Sequence, residues 1–256
     1  MGSCHQKNPD AVYTTGGEVF GHRPDLLEYA PTCIVSRPTL CSVDMQTLWL
    51  ARHANRQDLA DPDWASTADR PHDPGLAPDG VRQARELGER VDRMNVDRIV
   101  SSPFLRAVET ACSVAEVVGM PVYLEPGLGE WLNAEWFESA PQILPSSLLT
   151  ERFSRIRPDH TPCHTPIFPE TKDESLTRIG ATVRCLTERY PDETLLLVGH
   201  GATVEGILHE LVGPDVPMAG CDLASLTEVV RTNSRWSIRT RNDTSHLQNG
   251  DRPADR

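Results

Sequence analysis

Two histidines stand where short apolar runs end. Leu48-Trp49-Leu50-Ala51 leads straight into Arg52-His53-Ala54-Asn55-Arg56, and far downstream Leu195-Leu196-Leu197-Val198 leads into Gly199-His200-Gly201. An apolar run closed by a polar or glycine-rich turn is how a parallel strand delivers a side chain to the carboxyl edge of an α/β sheet, where such folds bind their ligands. Two imidazoles and two guanidiniums at one edge make an anion site, and phosphate is the obvious anion. A histidine in a strand-to-helix turn carries little weight alone.

The segment between them adds weight. Ile99-Val100-Ser101 reads as a strand end, Ser102 as a helix N-cap and Pro103 as the first helical position, with Leu105, Val108, Cys112 and Ala115 at helical spacing. Arg106 then falls in the first turn of a helix starting at the sheet edge. Positive charge is unfavourable there, so an arginine in that position calls for an anion to hold.

Three motifs in this order, Arg52-His53-small residue, Ser101-Ser102-Pro103-x-x-Arg106-Ala107-x-x-Thr110-Ala111 and Gly199-His200-Gly201, resemble the histidine phosphatase superfamily, the phosphoglycerate mutase-like fold. The resemblance covers roughly residues 47 to 240. Glu125-Pro126-Gly127-Leu128-Gly129-Glu130-Trp131 is similar to the acid-bearing segment of the T-cell ubiquitin ligand (TULA) phosphatase domains and the insect steroid-phosphate phosphatases, which places the chain nearer that branch than the glycolytic mutases. The family commonly has Gly and then Glu after the first histidine; here stand Ala54 and Asn55. Alanine fits if the backbone φ is ordinary and is strained if φ is positive. Arg56 matches the Arg-His-x-x-Arg spacing of the phosphatase branches, where a second arginine of this loop also touches phosphate.

The residue types dictate the chemistry. A phosphate monoester carries about two negative charges, which repel an anionic nucleophile but not a neutral imidazole. His53 is the expected nucleophile. Arg52, Arg106, His200 and Arg56, with Gly201 beside them, are expected to hold the phosphoryl oxygens, the electrostatic work that dominates phosphoryl transfer. With guanidiniums doing this, no metal or cofactor is called for. A phosphohistidine route also needs an acid for the leaving oxygen and a base for water. The resemblance assigns both tasks to Glu130 over its neighbours Glu125 and Glu135, with Trp131 as an apolar wall raising the carboxyl's pKa. Asn55, Trp64, His72 and Trp131 are candidates for touching substrate from the loops.

The elements must place these groups. Residues 1–45 are polar and proline-interrupted and read as a partly disordered extension; 46–242 form the catalytic domain, 138–172 a proline-rich insertion or lid, and 243–256 a disordered tail. Helices are expected from Pro78, around Arg106, from Leu176 and from Val204, with a closing hairpin around Thr232-Asn233-Ser234. The expected architecture is an α/β three-layer sandwich with a mostly parallel central sheet.

At 256 residues and a net charge of −12, the chain is long enough for one α/β domain and too acidic for nucleic acid or an anionic membrane as a general partner. No run is long enough for a membrane-spanning helix, and no signal-peptide core opens the chain. Seven cysteines, at 4, 33, 41, 112, 163, 185 and 221, form no C-x-x-C pair and read as free thiols of a cytoplasmic protein. Gln6 stands where a myristoylation motif favours Ser or Thr, so Gly2 and Cys4 read as unmodified. The expected function is a metal-independent phosphomonoesterase acting on a phosphorylated small molecule or phosphopeptide. Its alternatives are a phosphoglycerate-type mutase and a catalytically weak regulatory protein that binds phosphorylated ligands; oligomeric state is left open, a homodimer included.

Overall fold

The computed structural model describes residues 45–217 and 220–248. The expected N-terminal extension, the Gly2 and Cys4 positions and the end of the tail lie outside them. Strands β1 (Met45–Arg52), β2 (Arg98–Ser101), β3 (Val122–Leu124), β4 (Ile156–Arg157), β5 (Leu195–Gly199), β6 (Leu226–Thr232) and β7 (Arg235–Asp243) form one sheet in the order β4-β3-β2-β5-β1-β6-β7. The first five positions pair in parallel; β6 and β7 add antiparallel at the far side.

The most apolar strand takes the middle of the parallel part. Every residue of β5 is buried, as a strand covered on both faces must be. Two short helices, α1 (Gln57–Ala60) and α2 (Trp64–Thr67), follow β1. Successive side chains of a strand point to opposite faces. Leu196 and Val198 pack with Leu87, Val108 and Ala111 of α3 (Pro78–Val91) and α4 (Leu105–Val118), while Leu195 and Leu197 pack with Ile179, Val183 and Ile207 of α6 (Lys172–Arg189) and α7 (Gly201–Leu211). The result is the expected three-layer sandwich. Thr171 and Glu174 begin α6 with a reciprocal capping box.

Register levels the strand ends. Arg52 of β1 lies opposite Gly199 of β5, and Ser101 of β2 opposite Val198. His53, Ser102 and His200, each the next residue or its neighbour, therefore leave the sheet along one edge.

Four sequence expectations change. The helix carrying Arg106 starts at Leu105, two residues later than expected, and Phe104 is its N-cap without a side-chain bond. The Ser102 hydroxyl is taken by His200 Nε2 at 2.9 Å, and the cap is supplied remotely by Asp73, whose Oδ1 accepts the Leu105 N–H at 2.7 Å. The insertion is partly built into the fold: α5 (Ser146–Arg152) and β4 lie within it, Leu149 and Ile156 are buried, and β4 pairs with β3. The tail begins later than expected, since β7 runs to Asp243 and Leu247 is buried with Ala54, Leu76 and Ala224.

The fourth correction concerns the thiols. Cys163 and Cys185 are joined by a disulfide, whereas Cys112 and Cys221 are free. Spacing could not reveal the pair, because Cys163 reaches α6 only when its loop folds back onto the buried Glu125, which accepts the Cys163 N–H at 2.7 Å and bonds His160 Nε2 at 3.0 Å. The argument for a reducing compartment loses its premise at this pair. Among the described residues no helix is long and apolar enough to cross a membrane.

The bond closes a loop with a sequence separation of 22 residues, for which chain entropy gives about 3 kcal/mol. Dithiothreitol, or Cys163→Ser with Cys185→Ser, is expected to lower the unfolding free energy in urea by about that amount; equal denaturation curves with and without reductant would show that the two thiols are not joined.

Candidate active site

His53 leaves β1 fully enclosed, at 1% exposure. Its backbone is fixed from both sides: its N–H donates to Gly199 O at 2.9 Å and its carbonyl accepts the Ala224 N–H at 3.1 Å. The ring Nδ1 lies 2.8 Å from the Ala54 carbonyl oxygen. A carbonyl only accepts, so Nδ1 carries the proton and Nε2 keeps its lone pair. Burial, followed by the positive charge of Arg106, the nearby His200 and Arg52, holds the imidazole's pKa well below its ordinary value. The ring is a neutral nucleophile of fixed tautomer.

Ala54 meets the condition set for it. Its φ is not in the left-handed region, and it is buried. Its N–H donates to Thr110 Oγ1 at 3.0 Å, and that hydroxyl donates to Arg106 O at 2.7 Å, tying the histidine loop to the arginine helix. Asn55 is used structurally: its Nδ2 donates to Asp79 at 2.7 Å and its N–H to Gln83 at 2.9 Å. The loop presses so closely on α3 that a Cβ at Gly80 would lie 2.0 Å from Asn55 O.

Three arginines and two loops complete the site. Arg106 is 2% exposed; its Nη2 meets Glu130 Oε2 at 3.3 Å and its guanidinium lies 4.7 Å from the Phe104 ring centre. Its Nε and Nη1 are buried without a protein partner, an arrangement that suits an anion's oxygens. Arg52 donates to the Cys221 carbonyl, and Arg56 pairs with Asp58 at 3.0 Å.

Glu130 lies among these charges. Its Oε2 is 3.3 Å from Arg106 Nη2 and 3.3 Å from His200 Nδ1, and its Oε1 accepts the Trp131 N–H at 3.1 Å. Burial raises its pKa, but His200, Arg106 and the Trp131 N–H outweigh burial and hold it well below the usual carboxylate range. The expected elevation by an apolar wall is therefore corrected: His200, Arg106 and the Trp131 N–H set this carboxyl. For His200, burial lowers the pKa to about 4, Glu130 opposing and Arg106 and Arg52 reinforcing.

A cavity of about 380 Å³ opens over these groups, lined by Arg52, Arg56, Arg106 and Glu130 below and by Pro71, His72, Pro74, Trp136 and Phe137 around its walls, with Asp58 beside Arg56. His72 is where it was expected. Trp64 and Trp131 are not: Trp64 lines a separate groove with Arg70 and Glu109, and Trp131 sits behind Trp136, ring centres 5.0 Å apart, with its Nε1–H on Glu170 O. Gly201 lines a neighbouring hollow beyond Arg52. Glu125 is buried as a loop anchor and Glu135 is exposed, which leaves Glu130 as the one of the three at the site. Sequence reasoning missed Trp136, Phe137 and Asp73 beneath Arg106's helix, and it named Thr110 as a motif residue without its bonds to Ala54 and Arg106. Among the described residues no group of three or more His, Cys, Asp or Glu is arranged to hold a metal ion.

Residues 48–244 match the family model of the histidine phosphatase superfamily (branch 1). The uncharacterized phosphatase PhoE of Bacillus subtilis is 30% identical over 172 residues, covering 66% of this chain and 81% of that one. Human ubiquitin-associated and SH3 domain-containing protein A is 27% identical over 171 residues, 62% of this chain but only 26% of that longer protein. Among solved structures, the ecdysone phosphate phosphatase of Bombix mori, in complex with tungstate, superposes with a TM-score of 0.64 at 19% identity, covering 77% of this chain and 93% of that one.

Both site histidines have depressed pKa values, so their neutral burial favours the fold above pH 6.5 and that contribution is lost on acidification, for His200 through about 4. Imidazole NMR resonances of His53 and His200 in the free protein are expected to stay flat from pH 7.5 to about 5.5. A midpoint near 6.5 for either would contradict the electrostatic picture.

Proposed function

The chain belongs to the histidine phosphatase superfamily, and from that premise we propose that it hydrolyses phosphate monoesters through a phosphohistidine on His53, with Glu130 moving the proton. One observation carries the assignment of His53: the Ala54 carbonyl holds the Nδ1 proton, leaving an unprotonated Nε2 within the field of Arg52, Arg106 and His200.

In the first step Nε2 attacks phosphorus, the bond from phosphorus to the ester oxygen breaks, and Glu130 gives that oxygen a proton. Arg106 and His200, with Arg52 and Arg56, hold the non-bridging oxygens as charge moves onto them. In the second step water attacks the phosphorus of phospho-His53, Glu130 takes the water's proton, and the N–P bond breaks to release phosphate.

An acid held far below the carboxylate range must gain its proton when substrate arrives. The bound dianion engages the Arg106 cation and the His200 ring, the two groups that favour the ionised form of Glu130, and places negative charge beside the carboxylate. Both changes raise its proton affinity. The acid is armed by the substrate's own charge.

The walls of the cavity support a phosphatase over a mutase. Around its rim stand Trp136, Phe137, His72 and two prolines, and among the described residues every arginine lining the cavity belongs to the phosphate seat itself, which leaves no further guanidinium there for a second phosphate or carboxylate. The substrate is a phosphorylated small molecule, or a phosphopeptide presenting its phosphate to the same opening. A cytoplasmic site of action would require the Cys163–Cys185 bond to survive cellular reductant; the measurement with dithiothreitol bears on that as well.

Rapid acid-free quench of the wild type with para-nitrophenyl phosphate should trap an acid-labile phosphohistidine, absent in His53→Ala, whose turnover should fall by at least about 10³-fold. Full activity in that variant would reject the nucleophile. Prolonged EDTA treatment should leave the wild-type rate unchanged; a loss restored by zinc or magnesium would reject a cation set made of protein side chains.

A further inference from the structure

The loop bearing Glu130 is held from below by a buried ion pair that touches none of the reacting atoms. Arg178 of α6 donates from Nε and Nη2 to the two carboxylate oxygens of Glu170 at 2.6 and 2.8 Å. It also reaches three carbonyl oxygens, Nη1 meeting Gly127 O at 2.8 Å and Gly129 O at 3.3 Å and Nη2 meeting Glu130 O at 3.2 Å, and Nη2 lies 3.4 Å from the Ser175 hydroxyl. Glu170 accepts the Leu132 N–H at 3.2 Å, its backbone N–H donates to Leu132 O at 2.9 Å, and its carbonyl accepts Trp131 Nε1–H at 2.9 Å. The backbone is fixed on both sides of the acid.

Stability alone is a poor account of this arrangement. A buried ion pair can often be replaced by apolar side chains of similar volume with no loss of stability. Apolar side chains cannot orient a peptide plane. The plane between Glu130 and Trp131 is rigid, with its C=O and N–H pointing opposite ways. Arg178 holds the oxygen, and the N–H on the other side donates to Glu130's own Oε1 at 3.1 Å. With Oε1 occupied, Oε2 is the oxygen that meets Arg106 and His200.

We propose that Arg178, locked by Glu170, is a positioning residue for the general acid: it sets one peptide plane, and that plane selects which carboxylate oxygen of Glu130 faces the phosphoryl site. The proposal rests on the reading of Glu130 as proton donor. It follows that Arg178 matters where the leaving oxygen needs a proton and matters little where it does not.

Three variants are compared in single-turnover phosphorylation of His53, using an alkyl phosphate and para-nitrophenyl phosphate. Arg178→Gln with Glu170→Gln removes both buried charges together; Arg178→Lys keeps the charge and gives up the planar fork; Glu130→Gln removes the acid. In both Arg178 variants the alkyl rate is expected to fall about 10- to 100-fold more than the para-nitrophenyl rate, a weaker copy of Glu130→Gln. Equal losses on the two substrates in a folded variant, or no loss on the alkyl phosphate, would overturn the positioning role. If the double variant does not fold, Arg178→Lys decides by the same ratio, and failure of both to fold would reduce the pair to a structural one. Equal losses in Glu130→Gln itself would instead reject the acid assignment, and this proposal with it.

Discussion

A histidine enclosed among guanidiniums stays neutral, and the rest of the site depends on that neutrality. Burial and neighbouring positive charge both oppose protonation of His53, while the Ala54 carbonyl decides which nitrogen keeps the single proton. The same charges serve the opposite purpose for substrate, which they attract, and for Glu130, which they keep ionised. One cluster of charges therefore sets the protonation of both His53 and Glu130 and attracts the substrate. This works only if the groups arrive together, which is the task of the aligned ends of β1, β2 and β5.

What the amino-acid sequence revealed was whatever lay within one element. The buried strand β5, the helical repeat of α4 and the turn-flanked histidines are local patterns, set by side-chain periodicity and by the chemistry of turns. The pairing of β1 with β5 is not local, yet it was accessible because parallel strands order their carboxyl ends along one edge. Arg52, His53, Arg106, Glu130 and His200 each stand in a motif legible in the sequence, and the fold brings them together.

What escaped were partners met across long separations. Asp73 caps a helix 32 residues away, a role that no cap rule assigns because such rules look at adjoining residues. Ser102 looked like that cap and is instead engaged by His200. The Cys163–Cys185 bond and the sheet-forming half of the insertion depend likewise on where a proline-rich segment folds back. Trp64, Trp131 and Trp136 have similar local settings, and only the packing of the loops separates the cavity wall from its backing.

The meeting of Leu132 with Glu170 has a consequence for how this domain can vary. The Glu170 N–H donates to the Leu132 carbonyl and the Leu132 N–H to the Glu170 carboxylate at the foot of the long segment between them, so that segment departs from and returns to a single point. The entropic cost of closing a loop grows only slowly with its length. Residues could be gained or lost in the outer part of the segment, where Trp136 and Phe137 line the cavity mouth, with little strain reaching the acid below. The fold thus separates the wall of the cavity from the reaction centre at one short seam, and a change of specificity made beyond that seam would leave the chemistry untouched.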